Sequence, residues 1–211
     1  MQAPLLIEQL YLPDKPIANT GILVTLTGQL DASTFVEAVR IVVGETDTLR
    51  IRLNMDGDSV YQDIVELPDY LVQQIDFSSS ADPVAAADEW IEKHLWQTIV
   101  WDSFPLFQFT LIKLSTHRHL WLLKFNHLLI DGTGRLLLVK RISEIYEALQ
   151  KGRQPNAPGG ATLAQILDVD VRFLDPELQR LLACRPQLLA LPEVRGECHH
   201  LALVGFLQPL Q

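Results

Sequence analysis

Residues 119–125 read HLWLLKF, and this short run of large apolar side chains limits the folds that the chain can adopt. A run of this length and composition, with polar segments before and after it, predicts a strongly apolar, central β-strand. The longest uninterrupted apolar stretches, 120–123 and 136–139, are far shorter than the ~20 residues that a membrane-spanning helix needs. The chain is therefore expected to fold around a buried sheet in water.

Charge and cysteine content exclude several classes of protein. The 211 residues include 17 Lys and Arg against 26 Asp and Glu, which gives a net charge of −9 and an isoelectric point near 5.0. Such an acidic chain lacks the basic surface that a phosphate backbone requires, so we expect no nucleic-acid partner. The short apolar stretches give no reason to expect a membrane partner. Two cysteines cannot form a disulfide framework, and the N-terminus has no signal-peptide pattern. A cytoplasmic location is the expectation.

Strand and helix periodicities alternate along residues 21–149. Strands are predicted at 21–27, 49–54, 60–64, 70–77, 107–111 and 119–125. Three helices are predicted at about 31–44, 82–101 and 134–149, the first two behind the capping residues Asp31 and Asp82. Hairpins between strands argue against a regular βαβ array. The expected fold is therefore α/β, a two-layer sandwich with a mixed sheet and helices on one face.

The segment NHLLIDG, residues 126–132, follows the apolar strand directly and carries the candidate chemistry. The strand end places His127 beside a loop, and a histidine near neutral pH is the usual general base. Asp131 can hold that loop by bonding backbone N–H groups or an arginine, and Gly132 permits a tight backbone and close approach. The next helix then turns its N-terminal N–H groups to the site. On spacing alone, a hydrogen-bonded turn histidine is the more common explanation.

The context of this segment resembles the condensation domains of nonribosomal peptide synthetases, whose HHxxxDG signature stands on such a strand–loop–helix. The similar segments keep the family's order over about residues 5–175. They are the opening strand and helix at 8–43, ETDTLRIRL in the place of the RHExLRTxF motif, the PLF before the strand pair, and HLWLLKFNHLLIDGTG. The resemblance implies a chloramphenicol acetyltransferase-like fold.

The resemblance also assigns roles to individual residues. His127 takes the place of the second histidine of the signature, the catalytic one, and Asn126 replaces the first, so both are candidate catalytic residues. Asn126 can donate and accept hydrogen bonds but cannot titrate. Asp131 and Gly132 are implied to shape the active loop, with Asp131 paired to an arginine. Arg50, in the LRIRL segment, is the first candidate for that arginine and Arg52 is the second.

The implied reaction is an acyl transfer between two carrier-bound reactants. An amine on one phosphopantetheine attacks the thioester on another, so the implied partners are peptidyl or aminoacyl carrier proteins, and no cofactor is bound directly. A full condensation domain has a second half, and only the N-terminal half is recognised here, at 1–175. A separate C-terminal half is therefore an implied partner, and residues 176–211 are expected to form a divergent, weakly ordered tail.

Other functions stay open at this point. A catalytically silent remnant or docking module would bind a carrier protein without turnover. A trimeric acetyltransferase of the chloramphenicol type would share HxxxDG, although the LRIRL and PLF segments favour the condensation family. The cysteines and histidines at 184–200 lack a recognised ligand spacing, so no metal is expected. His94, His117 and His119 are expected on helix or turn surfaces.

Overall fold

The computed structural model describes residues 10–12, 15–57, 59–66 and 72–157. Within these ranges the order is β1 (Asn19–Thr27), α1 (Ala32–Glu45), β2 (Ile51–Asp56), β3 (Ser59–Ile64), β4 (Val72–Asp76), α2 (Pro83–Leu95), β5 (Phe107–Ser115), β6 (Arg118–Asn126) and α3 (Gly132–Gln150). Short 3₁₀ turns precede β1 and β2. None of the helices in these ranges is long and apolar enough to span a bilayer. The predicted domain end at 175 and the tail at 176–211 lie outside the described residues.

Four strands form one mixed sheet in the order β1-β6-β5-β4. The strands β1, β6 and β5 are antiparallel neighbours, whereas β4 pairs in parallel with β5. The strands β2 and β3 form a separate antiparallel hairpin. The predicted α/β class with a mixed sheet is confirmed. The strand predicted at 119–125 is β6, which lies inside the sheet with both edges paired.

The strand β6 is buried on both faces, and helices therefore cover both sides of the sheet. Trp121 and Leu123 belong to a core that α1 and α3 cover, while Leu120 and Leu122 belong to a second core under α2. The expectation that the helices lie on one face is therefore wrong. The composition of residues 119–125 explains the difference, because a strand with one solvated face alternates apolar and polar residues and this strand does not.

Two helices begin at the aspartate caps that the sequence indicated. The carboxylates of Asp31 and Asp82 each accept hydrogen bonds from the N–H groups two and three residues further along the chain. These caps satisfy amides that have no partner in the first helical turn. The helix α2 ends at Leu95, before the predicted end near Trp101. Beyond it, backbone groups of residues 97–99 bond to strand side chains instead of continuing the helix.

His119 lies near the start of β6 and is buried, with 5% of its surface exposed, so its expected surface position is wrong. Burial lowers the pKa of its imidazole, Lys113 on β5 lowers it further, and Asp76 on β4 partly opposes the shift. The unfolded chain therefore takes up a proton at this histidine more readily than the folded chain. Stability is lost as the pH falls below the unfolded pKa of about 6.5.

Replacing His119 with leucine should flatten this pH dependence. Between about pH 7 and about pH 5, the free energy of unfolding should fall more steeply in the native chain than in His119→Leu, because the buried imidazole resists protonation. Urea unfolding at several pH values measures the difference. The matched control is His117→Leu, in the exposed turn between β5 and β6, which should keep the native slope. Equal slopes for the native chain and His119→Leu would contradict the assignment.

Candidate active site

The strand β6 places His127 at the end of the sheet. It ends at Asn126, and the Leu129 N–H donates back to the Asn126 carbonyl at 3.0 Å, closing a turn with His127 as its second residue. The His127 N–H donates to the Ala18 carbonyl at 2.6 Å, just before β1. The side chain is half-buried, and within the described part of the chain its imidazole makes no hydrogen bond. The backbone thus fixes the residue, and no described hydrogen bond engages the ring.

Asn126 adjoins His127 in sequence but lies in a different environment. Its side chain is fully buried, with 0% exposed. The amide Nδ2 donates to the Ile99 carbonyl at 3.2 Å, and Oδ1 accepts from the Leu128 N–H at 3.0 Å. The carboxamide is therefore engaged inside the protein, against the connection that follows α2. It is not presented to the surface where a substrate would contact it.

Asp131 holds the loop through the backbone. It is the N-cap of α3, and its Oδ1 accepts from the Gly134 N–H at 2.7 Å. The Asp131 carbonyl accepts from the Arg135 N–H at 3.1 Å, which is the first turn of the helix. The carboxylate thus satisfies one of the helix amides that would otherwise lack a partner. This cap ends the loop and starts the helix at a defined residue.

The expected pairing of Asp131 with Arg50 or Arg52 is wrong for the part of the chain that the structure describes. Arg50 donates to the Asp47 carboxylate at 2.5 Å, within the 3₁₀ turn that precedes β2. Arg52 lies 3.7 Å from Asp63 across the β2–β3 hairpin. Arg50 ends the 3₁₀ turn before β2, whereas Arg52 lies on the strand. The carboxylate partner of Arg50 is close in sequence, and the partner of Arg52 is opposite it in the strand register.

The close packing expected at Gly132 occurs at Gly134. A Cβ atom at Gly134 would lie 2.7 Å from Ile130 Cγ1 and 3.3 Å from Asp131 Oδ1. At Gly132 the nearest described atom to a Cβ would be an Arg135 nitrogen at 3.6 Å, which is an ordinary contact. The cap on Asp131 explains the difference, because it draws the Gly134 amide against the loop.

Arg135 is a residue of this region that the sequence analysis missed. Its guanidinium donates to the Thr20 hydroxyl and, at 3.2 Å, to the Gly21 carbonyl, both on β1. This contact joins the start of α3 to the strand beside β6. The helix dipole disfavours a cation near a helix N-terminus. An arginine near the start of a helix therefore indicates that its guanidinium group has a specific hydrogen-bond partner.

Lys124 is a second residue that the sequence analysis missed. It lies on β6 with 2% of its surface exposed. Its Nζ donates to the His94 carbonyl at the end of α2, at 2.9 Å, and to Gln108 Oε1 at 3.3 Å. Burial lowers the pKa of this ammonium group to about 8. A lysine within an apolar strand was the available signal, because a buried cation needs partners.

These contacts place an imidazole on a braced turn, shortly before the N-terminus of a 19-residue helix. Asn126 holds the turn, Asp131 holds the loop, and Arg135 holds the start of the helix against the sheet. An imidazole is the side chain that enzymes use most often for general acid–base catalysis. Amides at a helix N-terminus favour negative charge that develops beside them. The arrangement suits proton transfer during attack on a carbonyl group.

Comparison with known proteins identifies the family. The condensation-domain family profile matches residues 1–162, which is more than half of the chain. The chain therefore belongs to the condensation-domain family. A dimodular nonribosomal peptide synthase of Bacillus subtilis (strain 168) is 32% identical over 165 residues, which cover 78% of this chain and 7% of that protein. Enterobactin synthase component F of Escherichia coli O157:H7 is 31% identical over 160 residues, which cover 73% of this chain and 12% of that protein.

Solved structures show the same fold. The starter condensation domain of rhizomide synthetase RzmA superposes with a TM-score of 0.76 at 29% identity, and the match covers 81% of this chain and 42% of that chain. A substituted form of that domain is in complex with C8-CoA and Leu-SNAC. The chain thus spans a small part of the two synthases and less than half of the solved domain.

Two glycine-to-alanine substitutions test the geometry of the loop. Gly134→Ala should lower the free energy of unfolding by about 1–3 kcal/mol, because its Cβ would overlap the Ile130 side chain. Gly132→Ala is the matched control and should cost much less, because its Cβ would meet only an ordinary contact. Urea denaturation of the full chain measures both. Equal losses for the two variants would contradict this account of the cap.

Proposed function

We propose that this chain supplies one half of a condensation-type acyltransferase that forms amide bonds in nonribosomal peptide biosynthesis. The observation that carries the proposal is the position of His127, at the end of a buried strand and before the helix that Asp131 caps, in a chain of the condensation family. The reactants are a thioester and an amine, each on the phosphopantetheine of a carrier protein. The amine nitrogen bonds to the thioester carbonyl carbon, the carbon–sulfur bond breaks, and the sulfur leaves as a thiol.

In this proposal His127 transfers the proton from the amine to the leaving sulfur. The imidazole accepts the proton that the amine loses and returns it to the departing sulfur. The same ring stabilises the charged tetrahedral state. Asn126 holds the turn and takes no part in the chemical step, since its amide is fully buried. No protein nucleophile is required, so the proposal includes no acyl-enzyme.

The second wall of the site comes from a C-terminal condensation half in this proposal. The 42% coverage of the rhizomide domain supports that division. Leu136 and Leu137 lie in α3 shortly after the active loop, with 57% and 60% of their surfaces exposed. Exposed large apolar side chains suit a surface that another element covers. The C8-CoA and Leu-SNAC held by the rhizomide domain support a site for two reactants. We place the assembly in the cytoplasm.

A second function, a carrier-protein docking module without turnover, is favoured by one observation. The activated bases of many enzymes are oriented by a third group. In the described part of the chain, no side chain bonds to the His127 ring. A module that kept the fold and lost the reaction would need no such group.

An acyl-transfer assay with loaded donor and acceptor carrier proteins tests the proposal. The 211-residue chain alone should form no peptide bond. Holding two tethered reactants in register is worth ~7–11 kcal/mol of the barrier, and one wall cannot supply it. Adding a C-terminal condensation half should restore turnover, measured as product mass on the acceptor carrier. His127→Ala should then lower the rate by about 10²–10⁴-fold, and His117→Ala, in an exposed turn, should leave it unchanged.

Other outcomes separate the alternatives. Turnover by the lone chain that His127→Ala abolishes would contradict the divided site and favour an enzyme that assembles from copies of itself. Carrier-protein binding without turnover, with and without the added half, would favour the docking module.

A further inference from the structure

Two asparagines are partners across the β1–β6 pairing, at the end of the sheet where His127 leaves it. Asn19 and Asn126 are opposite each other in the register. Asn19 Oδ1 accepts from the Ile99 N–H at 3.2 Å, and its Nδ2 donates to the Gln97 carbonyl at 2.7 Å. Asn126 Nδ2 donates to the Ile99 carbonyl at 3.2 Å. Both backbone groups of Ile99 are therefore bonded to side chains of this pair.

Asn126 also closes the turn that carries His127. Its Oδ1 accepts from the Leu128 N–H at 3.0 Å, and its backbone carbonyl accepts from the Leu129 N–H at 3.0 Å. Asparagine is favoured at the start of such a turn because its side chain bonds to the backbone two residues further on. One carboxamide thus joins the connection after α2 to the turn of His127.

We infer that Asn19 and Asn126 form an asparagine clamp that positions His127, and that Asn19 is a positioning residue of the site. The inference rests on the proposed function, since the clamp sets the direction of the ring and the ring carries the chemistry. Asn19 touches no reacting atom in this scheme. It acts through Ile99, which Asn126 holds from the other side.

The surroundings make the clamp stiff. The Ile99 side chain is 3% exposed and packs in the core under α1 and α3, so its backbone is anchored independently of the two asparagines. Lys124 bonds to the His94 carbonyl and holds the last turn of α2, from which the same connection starts. A carboxamide supplies a donor and an acceptor at once and does not titrate. The buried Asn126 therefore keeps both of its contacts at any pH at which the chain is folded.

Amide hydrogen exchange in the full chain, with NMR of the His127 ring, tests the clamp. Asn19→Ala should raise the exchange rate of the Ile99 N–H about tenfold. Asn126→Ala should raise the exchange rate of the Leu128 N–H by a similar factor, and both variants should shift the ring Cε1–H signal of His127. The control is Asn54→Ala, whose carboxamide bonds to Asp63 in the β2–β3 hairpin at 2.7 Å, and it should change none of these signals.

A rescue experiment separates positioning from simple packing. A neutral imidazole has one donor and one acceptor, and so can replace both contacts of the Asn126 carboxamide. At about pH 8, Asn126→His should therefore retain protection of the Leu128 N–H, whereas Asn126→Leu, which lacks polar atoms, should lose it. In the acyl-transfer assay with the added half, Asn19→Ala should lower kcat about tenfold with KM unchanged, since the ring is misplaced while substrate contacts remain.

The outcomes distinguish the clamp from the proposed reaction. An unchanged His127 ring signal in both alanine variants would overturn the clamp, whatever the assay shows. The expected exchange and ring changes in a chain that never turns over would support the clamp and reject the acyl transfer. Should Asn126→Ala fail to fold, Asn19→Ala decides the matter, because its side chain is only half-buried.

Discussion

The rest of the structure depends on one constraint, the position of β6. This strand is buried on both faces and paired along both edges. The strand lies between β1 and β5, with one core on each side. A slip of one residue would exchange its faces and move Lys124 away from the His94 carbonyl and Gln108. The register is therefore strongly specified. Because the register is fixed, the residue at which the chain leaves the sheet is fixed too, and that residue is His127.

The polar atoms on β6 explain how a buried strand can end in a defined turn. An unpartnered amide or ammonium group inside a protein is costly, so Lys124 and Asn126 are stable there only with their partners in place. Those partners include the His94 carbonyl in the last turn of α2 and the Ile99 carbonyl in the connection that follows α2. The same contacts that satisfy the buried groups hold this connection against the end of the strand. The hydrogen bonds that satisfy these buried polar groups therefore also place His127 at the end of the strand.

Local features were predictable from the sequence, and long-range pairings were not. The strand at 119–125 and the caps at Asp31 and Asp82 follow from residue types within a few positions of one another. The second helix-covered face could have been predicted from the same strand, since a run without polar alternation needs cover on both sides. The partner of Arg50 was misassigned because its choice depends on the 3₁₀ turn that places Asp47 beside it. Spacing alone did not show this turn.

In the candidate site, too, some features were predictable from the sequence and others were not. The positions of His127 and Asp131 follow from the strand–loop–helix pattern. The contribution of Asn19 depends on strand register and on the path of residues 97–99, neither of which the sequence pattern reports. Gly134 replaces Gly132 as the closely packed glycine for a related reason, because the cap bond of Asp131 decides which amide approaches the loop.

The central claim is that β6 buries its own side chains and leaves His127 accessible at its end. Modification of histidines with diethyl pyrocarbonate, mapped by mass spectrometry on the native chain, tests this claim most directly. The account expects the half-buried His127 to be modified in the native chain, more slowly than the exposed His117, while His119, within β6, stays protected until the chain unfolds. Protection of His127 to the same degree as His119 would contradict the account.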